Sequence, residues 1–183
     1  MPIPKIKSNQ SDFGMRAEKD QNNSTRLLRI QGIYNYIVLG RGYIMIVARI
    51  ATPDDIEGIV ALTDEIFRTS HGLRPSMGNQ FPLFLCKDNA ANLYIAEDNG
   101  RIISHMGIKR NDIFICGCRL SMASMGAVCT HPDYQGHGIA SMLMEQTLLR
   151  LYEQHVDLLT VSGLRTLYTR HECIKTGGCI HFS

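Results

Sequence analysis

This chain lacks charge of either sign in excess. Its 183 residues carry 19 Lys and Arg against 17 Asp and Glu, a formal net charge of +2. That balance excludes a strongly basic nucleic-acid binder, and a hydrophobic content of 44% excludes global disorder. Long apolar runs are missing too. The stretch 27–50 is apolar but interrupted by Arg29, Arg41 and Arg49, so it is too short and too charged for a membrane span. It also starts too late, and without a small-residue cleavage site, to serve as a secretory signal. The six cysteines form no C-x-x-C pair. No metal site is expected, and the cysteines read as reduced thiols of a cytoplasmic protein, mostly filling a core. No internal repeat is present.

What charge there is lies unevenly. Residues 1–45 hold seven Lys/Arg against three Asp/Glu, whereas residues 46–183 hold 12 against 14. Residues 1–25 are polar with few apolar anchors and are expected to be disordered. A folded domain is expected to open at Met45. Ile46, Ala48 and Ile50 share one strand face. Thr52 then caps a helix with Pro53 at its first position and Asp54 and Asp55 in its first turn. Ile56, Ile59, Val60, Thr63, Ile66 and Phe67 form its apolar stripe. Residues 1–44 thus read as an added, partly disordered extension, and residues 45–183 as the domain.

Residues 68–92 read as loop-rich, with a short helix near Gln80–Lys87. Leu93–Glu97 is a strand, Asn99-Gly100 a hairpin turn, and Ile102–Ile108 the returning strand. A second turn falls near Cys116–Cys118. Leu120–Thr130 is a long central strand, Asp157–Val161 a further strand, and Leu164–Glu172 a short helix. This order describes a mixed α+β fold around a mostly antiparallel twisted sheet flanked by helices, not a doubly wound one.

The richest segment follows the central strand: Thr130-His131-Pro132-Asp133-Tyr134-Gln135-Gly136-His137-Gly138-Ile139-Ala140-Ser141. Two glycines allow a tight turn and close approach of a ligand. Ile139, Leu143, Met144, Thr147, Leu148 and Leu151 then recur at helical spacing. The first amides of such a helix have no intrahelical partners and face a positive dipole end, which makes an anion site. The third glycine of a dinucleotide fingerprint and the Gly-Lys-Ser/Thr of a P-loop are both lacking.

The segment resembles motif A of the GCN5-related N-acetyltransferases, Arg/Gln-x-x-Gly-x-Gly/Ala after a strand ending near a proline. Gln135, Gly138 and Ala140 occupy the signature positions. The opening around Arg49-Ile50-Ala51-Thr52 is similar to many domain starts in that family. The resemblance implies the acyl-coenzyme A N-acyltransferase (GNAT) fold, with acetyl-coenzyme A as co-substrate. It implies that the backbone of Gln135, Gly136, His137, Gly138, Ile139, Ala140 and Ser141 cradles the pyrophosphate, and that Val128 and Thr130 pair with the pantetheine arm. It further implies that the Val128 amide polarises the thioester carbonyl.

Leu167-Tyr168 matches the family's Leu-Tyr-x-x-x-Gly-Phe pattern, which makes Tyr168 the candidate general acid. Glu172 and Cys173 stand where Gly-Phe is usual, and Val161-Ser162 stands where an Asn is often found. Leu120–Cys129 contains no Asp, Glu or His, so no base is obvious on that strand. His105 on the preceding strand is a candidate base, although a lone histidine there is more often a structural core residue; Asp112 and His131 are weaker candidates, and a water-mediated base or a substrate that arrives neutral is the alternative.

The family's closing hairpin needs two strands, yet Cys179–Ser183 supplies one short strand. The sheet is therefore expected to lack its last strand and expose an edge. A longer natural chain, a second copy or other strand-completing partner, and a degenerate enzyme are the three explanations. The implied activity is acetyl transfer to an amine of a small molecule or a protein, with neither nucleic acid nor membrane as partner. A non-catalytic acyl-coenzyme A-binding module is the alternative.

Overall fold

The computed structural model describes residues 16–18, 27–29, 34–39, 42–163 and 165–176. Among these, eight strands form one sheet in sequential order. They are β1 (Arg16–Glu18), β2 (Leu27–Arg29), β3 (Tyr34–Leu39), β4 (Gly42–Ile50), β5 (Leu93–Asp98), β6 (Arg101–Ile115), β7 (Cys118–Thr130) and β8 (Leu158–Val161). All neighbouring pairs are antiparallel except β7 and β8, which run parallel. The mixed, mostly antiparallel sheet is the one expected. Met45 lies inside β4, which pairs with β3 on one side and β5 on the other. The strand expected at Cys179–Ser183 lies outside the described residues.

Among the described residues, four α-helices accompany the sheet: α1 (Ile56–Phe67), α2 (Met77–Gln80), α3 (Ile139–Glu153) and α4 (Thr166–Arg170). α3 is the crossover that a parallel β7–β8 pair requires. Helices cover both faces of the central strands, which explains their continuous apolar character. On β5, Tyr94 and Ala96 enter the core under α3, while Leu93 and Ile95 enter the core under α1. Along α3, Ile139, Leu143, Met144, Thr147 and Leu151 are buried as the spacing predicts, and Met142 joins them.

Local chemistry sets the boundaries. Thr52 caps a single 3-10 turn, Pro53–Asp55, before α1 begins at Ile56. The Asp55 carboxylate accepts hydrogen bonds from the Thr52 amide at 2.7 Å and its hydroxyl at 2.8 Å. Arg49 holds the same carboxylate with two donors, at 2.6 and 2.8 Å, and reaches Glu97 at 2.8 Å. This network ties β4, the start of α1 and β5 together, and the guanidinium pushes the Asp55 carboxyl well below the usual range.

The short helix expected at Gln80–Lys87 falls earlier, at Met77–Gln80. The reason is tertiary: Asp64 of α1 accepts from the amides of Ser76 and Met77 at 2.7 and 2.9 Å and starts the turn there. β6 runs on to Ile115, well past the expected Ile108. Its hairpin with β7 turns on Cys116 and Gly117 (φ 51° and 82°), as the β5–β6 hairpin turns on Asn99 and Gly100 (φ 48° and 80°).

Candidate active site

β7 and β8 pair from Met122–Leu158 to Met125–Val161. There β8 stops, while β7 continues to Thr130. Beyond Met125 the outer edge of β7 thus faces no strand among the described residues. At the same point β7 is irregular. Gly107 pairs with Gly126, but His105 pairs with Cys129, so one extra residue is accommodated on β7. Ala127 takes φ 51°, a left-handed conformation that costs a non-glycine residue about 1 kcal/mol. The bulge re-aims the backbone of Val128 next to the open edge.

His105 sits behind this bulge. It is fully buried, and its Nδ1 lies 2.9 Å from the Ala127 carbonyl. A carbonyl only accepts, so Nδ1 carries the proton. Nε2 is buried without a hydrogen-bond partner. Burial pushes the imidazole down to about 4, so the ring is neutral at pH 7. Cys129 is buried as well, and its thiol is pushed up to about 12. No thiolate nucleophile is available there at neutral pH.

At the end of β7 the chain enters the glycine loop. Gly136 and Gly138 both have φ 79°, and a side-chain carbon built on Gly136 would meet open space. The first bond of α3 runs from the Met142 amide to the Gly138 carbonyl at 3.0 Å. The amides of residues 136–141 donate to no protein group among the described residues. They form a concave row of donors at the start of a 15-residue helix, a backbone cradle for phosphate oxygens. Tyr134 braces the loop by donating to Asp98 of β5 at 2.7 Å, and the His131 amide donates to Ile103 of β6 at 2.8 Å. The His137 Nδ1 is buried and unpartnered.

Two side chains reach back to the open edge of β7. Gln135 donates from Nε2 to the Thr130 carbonyl at 2.9 Å, and Arg165 donates from Nη1 to the Val128 carbonyl at 3.2 Å. The signature glutamine therefore braces the turn between β7 and α3. Arg165, unremarked in the sequence, stands one turn ahead of Tyr168. Tyr168 is 6% exposed and belongs to the core under α3. Its hydroxyl makes no hydrogen bond among the described residues. It lies 4.0 Å from a side-chain carbon built on Gly163, just past β8. Burial raises the phenol, with Arg165 opposing, so it stays protonated at neutral pH. α4 ends in a Schellman turn: the Cys173 amide donates to the Tyr168 carbonyl at 3.0 Å and the Glu172 amide to Thr169 at 3.3 Å. Glu172 takes φ 63° there, in the place where glycine is usual.

On the α1 side of the bulge lies a cavity of about 200 Å³. Met77, Phe81 and Phe84 wall one side, residues 124–127 of β7 the other, and Ser162 one end. These wall residues were not singled out in the sequence. The one available signal was the pair Gly107–Gly126, since glycines within strands mark bulges and close approaches. Gly107 is where the Phe84 ring comes down on the sheet: a side-chain carbon there would lie 2.4 Å from Phe84 Cε1. Asp112, the weaker base candidate, is instead paired with Arg119 at 2.5 Å on the exposed hairpin. His131 lies 3.2 Å from Glu65 of α1. Among the described residues, no His, Cys, Asp and Glu converge in a group able to hold a metal. No helix among them is long and apolar enough to cross a membrane.

A mostly antiparallel sheet opening at one parallel pair, with a strand bulge at the opening and free amides at the following helix, defines the acyl-coenzyme A N-acyltransferase fold. The model of the acetyltransferase (GNAT) domain matches residues 47–172, and the chain belongs to that family. Comparison with curated proteins gives no match. Among solved structures, the chain is similar to a predicted acetyltransferase from Clostridium acetobutylicum with acetyl-CoA, at TM-score 0.61 and 19% identity over 76% of this chain and 96% of that one. It is similar to a GNAT family acetyltransferase from Brucella melitensis in complex with acetyl-CoA, at TM-score 0.57 and 21% identity over 69% and 80% of the two chains. A GCN5-related N-acetyltransferase from Kribbella flavida matches at TM-score 0.57 and 18% identity over 69% of this chain, which spans 32% of that protein.

Proposed function

We propose that the protein is an acetyl-coenzyme A-dependent N-acetyltransferase acting on an amine by direct transfer. The observation that carries this reading is the alignment of three features along one edge: the bulge at Ala127, the open backbone of β7 beyond Met125, and the free amides of residues 136–141. The coenzyme, when bound, supplies an activated acetyl thioester. The residues present fit it. The glycine loop offers amides to a pyrophosphate, and the strand-free edge of β7, whose Val128 and Thr130 carbonyls are held by Arg165 and Gln135, leaves the place of a neighbouring strand to an extended amide-bearing arm. The relatives solved with acetyl-CoA support the same ligand.

The protein's own groups then have separate tasks. The Val128 backbone is held at the bulge, where its amide would stabilise negative charge on a carbonyl oxygen. His105 is a positioning residue, because its Nδ1–H fixes the Ala127 carbonyl and so the bulge. Tyr168 keeps its proton at neutral pH and can lend it to a departing thiolate. With Cys129 buried and protonated, an acyl-enzyme on that residue is disfavoured, which leaves direct attack by the amine. A cytoplasmic setting, with reduced thiols, suits all of this.

Tyr168→Phe tests the assignment. The variant should bind acetyl-CoA with unchanged affinity and lose turnover by about 10²-fold. Unchanged turnover would remove Tyr168 from the chemistry. A thermal-shift titration with acetyl-CoA tests the larger claim, since a ligand selective for the fold must raise the melting temperature. No shift at saturating ligand would reject the reading and leave neither an enzyme nor a coenzyme-binding module.

A further inference from the structure

The cavity beside the bulge says what kind of amine this site takes. Among the described residues, its walls carry no charge: three large apolar side chains face a strand of small and apolar residues, and only Ser124 and Ser162 add hydroxyls. Ser124 already bonds Thr160 at 3.1 Å. The space, about 200 Å³, opens to solvent past Phe81, which is 46% exposed, so it is an apolar groove with room for a single ring. We infer that the acceptor is a small aromatic amine of low basicity, bound neutral between Phe81, Phe84 and Met77 beside the bulge. This inference rests on the reading of the site as an N-acetyltransferase.

The alternative occupant, an alkylammonium such as a lysine side chain or a polyamine, meets two obstacles. A cation brought into this groove loses part of its water and finds no carboxylate among the described lining residues, which is unfavourable. It must also lose a proton before it can attack. An alkylamine titrating near ~10.4 is neutral in only about one molecule in 10³ at pH 7. His105 and the Phe84 ring both approach Gly107 on the face where a side chain would stand, and His105 Nε2 is free of hydrogen bonds among the described residues. That imidazole is too weak a base to strip an alkylammonium. An arylamine avoids both obstacles, because its conjugate acid titrates well below neutrality. Its ring gains apolar and edge-to-face contact with Phe81 and Phe84.

The transfer balances without a further reactant. The amine lone pair forms the N–C bond to the acetyl carbonyl carbon, and the C–S bond breaks with its electron pair going to sulfur. One N–H proton passes from the amine to water, Tyr168 gives its proton to the departing sulfur, and the phenolate regains a proton from water. The products are an acetanilide and free coenzyme A thiol.

The test uses the full chain with acetyl-CoA and three amines, 4-methylaniline, benzylamine and spermidine, with thiol release read from pH 6 to 9. The expected result is a kcat/KM for 4-methylaniline at least ~10-fold above the other two at pH 7, flat across the pH range. Phe84→Ala and the more exposed Phe81→Ala should each raise its KM several-fold while acetyl-CoA affinity, measured by calorimetry, stays unchanged. Preference for benzylamine or spermidine at pH 7 would overturn the inference. So would acetyl-CoA binding without any saturation-transfer NMR signal from 4-methylaniline, which would leave the coenzyme reading standing. Failure to bind acetyl-CoA would overturn both.

Discussion

Lowering the pH should weaken this fold through His105. The side chain is fully buried, its Nδ1–H is used by the Ala127 carbonyl, and Nε2 has no partner to receive a proton's charge. The folded protein binds that proton only near pH 4, against 6.5 for an ordinary histidine. Above pH 6.5 the ring is neutral in both the folded and unfolded chains and contributes no slope. Between 6.5 and 4 the unfolded chain binds a proton that the folded chain refuses, so stability falls as pH falls. The gap corresponds to about 3 kcal/mol, fully lost below pH 4, with a slope approaching ~1.4 kcal/mol per pH unit in between. Urea unfolding at pH 7, 5.5 and 4.5 measures it, with His105→Gln as the reference that lacks the group. The difference between the two proteins removes the contribution of carboxylates such as Asp55. Parallel stability curves for the two would refute the reasoning. Should His105→Gln not fold, an NMR titration of the ring serves instead, and a midpoint near 6.5 would refute it equally.

Glu172→Gly should stabilise the protein by about 0.5–1 kcal/mol, because φ 63° strains glutamate and the Schellman turn suits glycine; a lower denaturation midpoint would contradict this. Gly107→Ala should destabilise by about 1–3 kcal/mol, since the new carbon would lie 2.4 and 2.7 Å from Phe84 ring atoms. Combining it with Phe84→Leu should restore part of the loss; additive effects in the double-mutant cycle would show that the ring is not the obstacle.

The parts of the molecule that depend on a few consecutive residues were legible in the sequence. Asn99-Gly100 turns because both residues accept positive φ, and the turn at Cys116–Gly117 uses the same geometry. Thr52-Pro53-Asp54-Asp55 starts a helix through bonds spanning three residues. The stripe from Ile139 to Leu151 and the two glycines before it specified α3 and its free amides, and with them the family.

Tertiary structure decided the rest. No local signal marks Ala127 as a bulge; its φ of 51° comes from one extra residue counted against β6 across the hairpin, together with His105 holding its carbonyl. The placement of α2 depends on Asp64, 12 residues from Ser76 in sequence. The basicity of His105 is set by burial that β5, β6, β7 and Phe84 provide jointly. The cavity is walled by segments near residues 77–84, 124–127 and 162, which the sheet and α1 bring together. Local backbone preference acts over one turn and can be read along the chain. Register, desolvation and the shape of a cavity exist only once distant strands have paired.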